Sequence, residues 1–278
     1  MTPVATFAEG GRIAALPMYD LPGLEAANNA LWHAVATRLT ASGIEGVPPE
    51  LSRTIPVAAL WRHPRLLLAQ SCGYPLVTSL HNAVKVVATP RYRALGCQGS
   101  LYRSAIVVAA TNAAAALADL RGTRCVANDP ASNSGMNLLR AMIAPLAGGR
   151  PFFRTVLWSG SHRESLAMIA RGEADIAAID CVMFDHLRTL EPALVAAVRV
   201  IEWSDASPGL PLVTAAGTDD RTLAALRAAL ADIIADSTVA PALEALLIDS
   251  FDAAAFAAYQ SVIELERRAA ALGYPELV

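Results

Sequence analysis

Apolar and polar positions along the chain switch repeatedly between two periods. Short apolar runs of strand length alternate with longer stretches in which apolar residues return every three or four positions. Arg12–Tyr19 reads as a first strand, ended by Pro22 and Gly23. Leu24, Ala27, Leu31, Val35 and Leu39 then fall on one helical face, and Gly43 stops that helix. Leu66–Ser71, Val84–Ala88 and the very apolar Ser104–Ala110 predict three more strands, with a turn at Cys72-Gly73-Tyr74-Pro75. Thr123–Asn128, Thr155–Trp158, Asp175–Ile179 and Val198–Trp203 continue the series. Helices are predicted from Ser132 or Ser134 to about Ala144, from Ser161 to Arg171, and over residues 181–190. A last strand, Leu212–Ala216, precedes a remainder that reads as nearly all helical and closes with Ala253–Leu272. This strand–helix alternation predicts an α/β protein with mainly parallel sheets.

Two places break the alternation. Ser207-Pro208-Gly209-Leu210-Pro211 is one, and the approach to Ser104 through Gly96, Gly99 and Tyr102 is the other. Taken as crossings, they assign residues 104–206 to one lobe and residues 1–103 plus 207–278 to a discontinuous other. Two connecting strands would join the lobes, with a cleft between them. There is no internal repeat, low-complexity tract or long linker.

The chain has 278 residues, 54% apolar and 17% charged, enough for a substantial core. A net charge of −3 and the lack of a basic stripe exclude an extended nucleic-acid surface. No window approaches the ~18 continuous apolar residues that predict a membrane span. Met1–Gly11 has neither a basic nor an apolar export region. As written, the chain therefore reads as cytoplasmic, or as periplasmic if a signal was removed. Cys72, Cys97, Cys125 and Cys181 show no Cys-x-x-Cys spacing. Cys125 and Cys181 read as small core residues; Cys72 and Cys97 lie in turn-like contexts, and the sequence leaves open whether they stay reduced or pair in an oxidising compartment.

Enzymatic and metal signatures are absent from the sequence. It contains no Gly-x-Ser-x-Gly elbow, Walker loop or His-Glu-x-x-His, and His33, His63, His81 and His186 stand singly without metal-ligand spacing. A triad of Ser161, His162 and Asp180 finds no support in spacing. No catalytic residue, metal or cofactor is predicted. The chemistry lies in strand-to-helix turns instead. Ser132, Asn133, Ser134 and Gly135 open a helix after Asn128-Asp129-Pro130, where free backbone N–H groups and partial positive charge suit an oxyanion. Ser161 and His162 open the next helix in the same way, and Asp180 ends the strand that follows. Tyr19, Tyr74 and Tyr102 end strands or precede the crossing, offering a hydroxyl and a flat face to an organic tail. Each feature also has a plain structural reading, as a helix cap or a packed aromatic.

The chain resembles the phosphate/phosphite/phosphonate substrate-binding proteins of ABC importers. The resemblance runs from about residue 12 to 215 and rests on Asp119-Leu-Arg-Gly with Asn128-Asp-Pro-Ala-Ser-Asn-Ser-Gly, on Gly160-Ser-His, and on Gly172-Glu-Ala-Asp-Ile-Ala-Ala-Ile-Asp180. It implies the two-lobed type 2 periplasmic-binding fold, an ABC permease as partner, and a small anionic ligand. The implied contacts are Ser132, Asn133, Ser134, His162, Asp180 and Tyr102. Pro17-Met-Tyr-Asp20 and Gln70-Ser-Cys-Gly-Tyr-Pro75 depart from the well-studied phosphonate binders. The leading expectation is a monomeric solute-binding protein for a phosphate- or phosphonate-like ligand, without nucleic-acid or membrane partners. The alternatives are a cytoplasmic enzyme on the same fold, as in menaquinone or thiamine pathways, and a ligand-sensing module.

Overall fold

The computed structural model describes residues 11–278, so the export-signal reading of the N-terminus falls outside the described part. β1 (Ile13–Ala15) leads through α1 (Glu25–Ala41) and α2 (Val57–Leu60) to β2 (Leu66–Gln70), α3 (Gly73–Thr78) and β3 (Val84–Tyr92). β4 (Leu101–Tyr102), β5 (Ser104–Ala109) and β6 (Arg124–Ala127) precede α4 (Leu138–Ala147), β7 (Thr155–Trp158) and α5 (His162–Ala170). Then come β8 (Ile176–Asp180), α6 (Cys181–Leu190), α7 (Pro192–Ala196), β9 (Val198–Trp203) and β10 (Ser207–Pro208). The chain ends with β11 (Leu212–Ala215), α8 (Asp220–Asp232), α9 (Ala240–Ala245), β12 (Ile248–Asp252) and α10 (Gln260–Ala271).

These elements form two compact units. The first holds the described residues up to Cys72, Ser79–Arg91 and Leu210–Ala257; the second holds Gly73–Thr78, Tyr92–Gly209 and Ala258–Val278. The first is built on a five-stranded sheet of order β1-β2-β11-β3-β12. α1 covers it with Leu31, Trp32, Val35 and Leu39, all buried, as the helical spacing predicts. Each such side chain stabilises the fold by about 1.5–3 kcal/mol.

The second unit has a sheet of order β7-β6-β8-β5-β9 and a short antiparallel pair of β4 with β10. Ile106, Val108, Cys125, Leu139, Ile143, Phe152 and Ile176 form its core.

The expectation of mainly parallel sheets needs correction, because both sheets are mixed. β7, β6 and β8 run parallel, but β5 is antiparallel to β8 and β9. β1 and β2 run parallel, but β11 is antiparallel to β2 and β3. β5 is the first strand of its five-stranded sheet after Tyr92, and β11 the first of its own after Leu210. Neither needs the helical crossover that parallel neighbours require. Local pattern distinguishes a strand from a helix but says nothing of its direction.

Two further expectations change. The turn at Cys72–Pro75 is the start of α3, and β12 interrupts the stretch read as all helical. The turn into β12 is carried by Leu247 at φ 58°, a left-handed conformation that glycine normally occupies. No glycine therefore marks the end of α9. The closing helix is correspondingly shorter, Gln260–Ala271, after a single turn of 3₁₀ helix at Phe256–Tyr259.

The division read from the sequence places all of residues 207–278 in the first lobe, whereas the structure groups Ala258–Val278 with the second unit. α10 packs against α4 there. Asn137 Nδ2 donates to the Val262 carbonyl at 3.0 Å, and Phe152 N donates to the Val278 carbonyl at 2.8 Å. Arg140, 4% exposed, donates from Nη1 to the Pro275 carbonyl at 2.8 Å and from Nη2 to Asn137 Oδ1 at 2.7 Å. Glu266 lies 3.6 Å from the guanidinium. A buried guanidinium held by two oxygen acceptors and a carboxylate leaves all of them uncompensated when removed. Arg140→Ala should therefore lower unfolding free energy by about 3 kcal/mol, with Arg140→Lys retaining part of it, in urea titrations at neutral pH.

Candidate functional site

Strands β7, β6 and β8 are neighbours and run parallel, so their carboxyl ends open on the same edge of the sheet. Open α/β sheets place ligands at such an edge. Three turns meet it: 128–134 after β6, 159–162 after β7, and Asp180 at the end of β8.

The turn after β6 starts a helix in an unusual way. Ser132 is its N-cap, with extended backbone, and its Oγ accepts from Gly135 N at 2.9 Å. Residues Asn133–Asn137 wind as a single π turn before α4. In that turn Asn137 N reaches back five residues to the Ser132 carbonyl at 3.0 Å, and Leu138 N to that of Asn133. Such wide turns recur at functional sites, because the extra residue re-aims side chains and backbone donors. Gly135 is required here by space. A Cβ at that position would lie 1.8 Å from Asn128 Oδ1 and 3.2 Å from His162 Cε1. Ser132, Asn133, Ser134 and Asn137 are all buried.

Ser134 and His162 are brought together, Oγ to Nε2 at 2.9 Å. The Ser134 carbonyl accepts from Ser104 Oγ at 2.9 Å, which ties the turn to β5. Burial holds the His162 imidazole well below its ordinary pKa, at about 4, an effect the Ala178 backbone partly opposes. The ring is therefore neutral at pH 7. It meets Ser134 as a dipolar donor or acceptor, according to which nitrogen carries the proton. Asp180 opens α6, its Oδ1 accepting from Val182 N at 2.8 Å and Met183 N at 3.1 Å. It pairs across the sheet with Ser104. Asn133 Nδ2 donates to Tyr102 OH at 3.1 Å and to Ser207 Oγ at 2.9 Å, while its Oδ1 accepts from Asn137 Nδ2 at 2.9 Å. Ser132, Asn133, Ser134, His162, Tyr102 and Asp180 thus form one polar patch within the second unit.

The remaining candidates lie differently. Ser161 caps α5 through Glu164 N at 3.1 Å. The Tyr74 hydroxyl donates to Glu266. Tyr19, in the first unit, is buried beside Asp20, whose carboxylate is held by Arg53 at 2.6 Å and by Asn28 at 3.0 Å. The sequence reading passed over Asn137, Arg140, Ser104 and Ser207, which support the patch. Asn133, Asn137 and Arg140 recur at i, i+4 and i+7, a polar stripe along one face of an apolar helix, and that spacing was the available signal.

Solved structures share this fold. A binding-protein component of a phosphonate ABC transporter from Pseudomonas aeruginosa superposes with a TM-score of 0.76 at 17% identity, covering 94% of this chain and 87% of its own. PhnD1 of Prochlorococcus marinus, solved with methylphosphonate, gives a TM-score of 0.68 at 17% identity, covering 93% of this chain and 97% of its own. A Xanthomonas citri protein solved with chloride gives 0.71 at 17% identity, covering 94% and 98%. The protein is thus a mixed α/β member of the periplasmic-binding-protein fold class. The model of the periplasmic substrate-binding proteins of phosphonate ABC transporters matches residues 65–259, and the chain belongs to that family. Among curated proteins none matches.

Burial of neutral histidine makes stability depend on pH. His186, also buried, is held to about 4 by the same cause as His162. Between pH 6.5 and 4 the unfolded chain takes up protons that the folded one refuses. The stabilising contribution is thus complete above pH 6.5 and lost as pH falls towards 4, by about 3 kcal/mol for each ring. Urea midpoints between pH 7 and 4.5 should fall accordingly, and His162→Gln should remove about half of that slope.

Proposed function

We propose that this chain captures a small tetrahedral oxyanion of the phosphonate or phosphate class and presents it to an ABC permease. The observation that carries the reading is the Ser134–His162 contact at the start of a buried helix, on the sheet edge where three parallel strands end. In this reading Ser132, Asn133 and Ser134 contribute hydroxyl, amide and backbone donors, and neutral His162 a further N–H. Asp180 accepts a hydrogen bond from a protonated oxygen of the ligand, and Tyr102 lines the site. One helix terminus is worth only about 0.3–2 kcal/mol. Micromolar capture, about 8 kcal/mol, therefore requires these donors to converge on a single anion.

The two compact units act here as lobes that close over the ligand, and Tyr19, Tyr74 and Ser161 contribute to the remainder of the pocket. Closure excludes water and strengthens each hydrogen bond. The protein acts in the periplasm as a monomer that binds and releases without chemistry, and it uses no cofactor. Membership in a transporter-binding family supports this over catalysis.

A thermal-shift and calorimetric series with phosphate, phosphite, methylphosphonate, aminoethylphosphonate, sulfate, taurine and small carboxylates tests the proposal. A saturable rise in Tm with a phosphorus oxyanion is expected; no response to any phosphorus oxyanion from ligand-free protein would overturn it. A hydrogen bond to a charged group contributes about 1.5–3 kcal/mol, so Ser134→Ala should weaken that ligand roughly 10–100-fold. The Tm of the empty variant should stay within a few degrees of the parent.

A further inference from the structure

Cys72 and Cys97 are not joined by a disulfide, and the sulfur facing Cys97 belongs to Cys181, at 3.5 Å. Cys97 is half-buried in a tight turn whose ends are fixed by Cys97 N to the Ala94 carbonyl at 3.0 Å and by reciprocal bonds between Gln98 and Leu101 at 2.9 and 3.1 Å. Cys181 is buried at the first position of α6, directly after Asp180, and its N donates to the Arg103 carbonyl at 3.1 Å. Gly96, at φ 100°, makes the approach possible. A Cβ there would come within 3.1 Å of Cys181 Cβ and 2.9 Å of the Trp203 ring. The turn is therefore pressed against the start of α6 by a residue without a side chain, and the two sulfurs are already in van der Waals contact.

We propose that Cys97 and Cys181 are a disulfide-forming pair, oxidised by thiol–disulfide exchange with a small-molecule or protein disulfide. Cys97, the more accessible thiol, loses its proton and attacks one sulfur of the oxidant, releasing one thiol and leaving a mixed disulfide. Cys181 then gives up its proton and attacks Cys97 Sγ, releasing the second thiol. The chain loses two protons and two electrons, and the oxidant gains them. The contact with Cys97, burial and the neighbouring Asp180 carboxylate all hold the Cys181 thiol protonated, which makes the second step the slower one. The bond closes a loop between positions 84 residues apart and pins the turn that precedes β4 and β5 to the residue beside Asp180. A loop of that length restricts the unfolded chain strongly.

The test uses the whole chain incubated with oxidised glutathione. The expected result is a monomer about 2 Da lighter, with two thiols titrating after denaturation, and a proteolytic fragment joining the peptides of Cys97 and Cys181. Its Tm should rise by roughly 5 °C or more and return with dithiothreitol. Cys97→Ser and Cys181→Ser should each abolish the shift while Cys72→Ser keeps it. Four thiols remaining, a linked peptide containing Cys72 or Cys125, a stable glutathione adduct, or a disulfide dimer would each overturn the proposal.

Discussion

A helix that starts inside a protein exposes donors that water no longer satisfies, and each such group costs about 1–3 kcal/mol if left alone. That demand organises the second unit around Asn133. Its amide group donates to Tyr102 and Ser207, and its oxygen takes the amide of Asn137. Asn137 in turn reaches Val262 and is gripped by Arg140, which reaches Pro275. The same chain of bonds that satisfies the turn thus anchors the C-terminal segment and fixes the residues beside β4 and β10. A substitution in it disturbs fold and site together.

The donors that this turn and His162 bring together are neutral dipoles rather than cations. His162 is neutral, the hydroxyls are neutral, and the partial positive charge comes from aligned peptide groups. Preorganised dipoles need no reorganisation when an anion arrives, and burial magnifies them. Such a site suits reversible capture, because full opposing charges in a dry interior would bring a larger desolvation cost at each exchange. Membership in the family of periplasmic substrate-binding proteins for phosphonate transporters is consistent with that design.

Much of the fold was legible in the chain. The strands at Thr155–Trp158 and Val198–Trp203 and the helix over residues 181–190 form where the apolar periods predict them. Ser132 and Ser161 cap helices because short oxygen-bearing side chains beside an extended residue satisfy local donors, and that logic needs no distant partner. β12 was illegible because Leu247 occupies a backbone conformation usually marked by glycine. The supporting roles of Asn137 and Arg140 were hidden for another reason. Their partners, Val262 and Pro275, lie 125 and 135 residues further on.

What the sequence by itself determined is therefore local: the alternation of elements, the caps, and the serine-rich starts of the helices after β6 and β7. Those features follow from backbone sterics and hydrogen bonds within a few residues. Tertiary structure alone decided strand direction in both sheets, the union of Ala258–Val278 with the second unit, and the contacts Ser134–His162 and Cys97–Cys181. Each joins groups distant along the chain, and such contacts form only when burial of the whole core offsets the entropy of bringing them together.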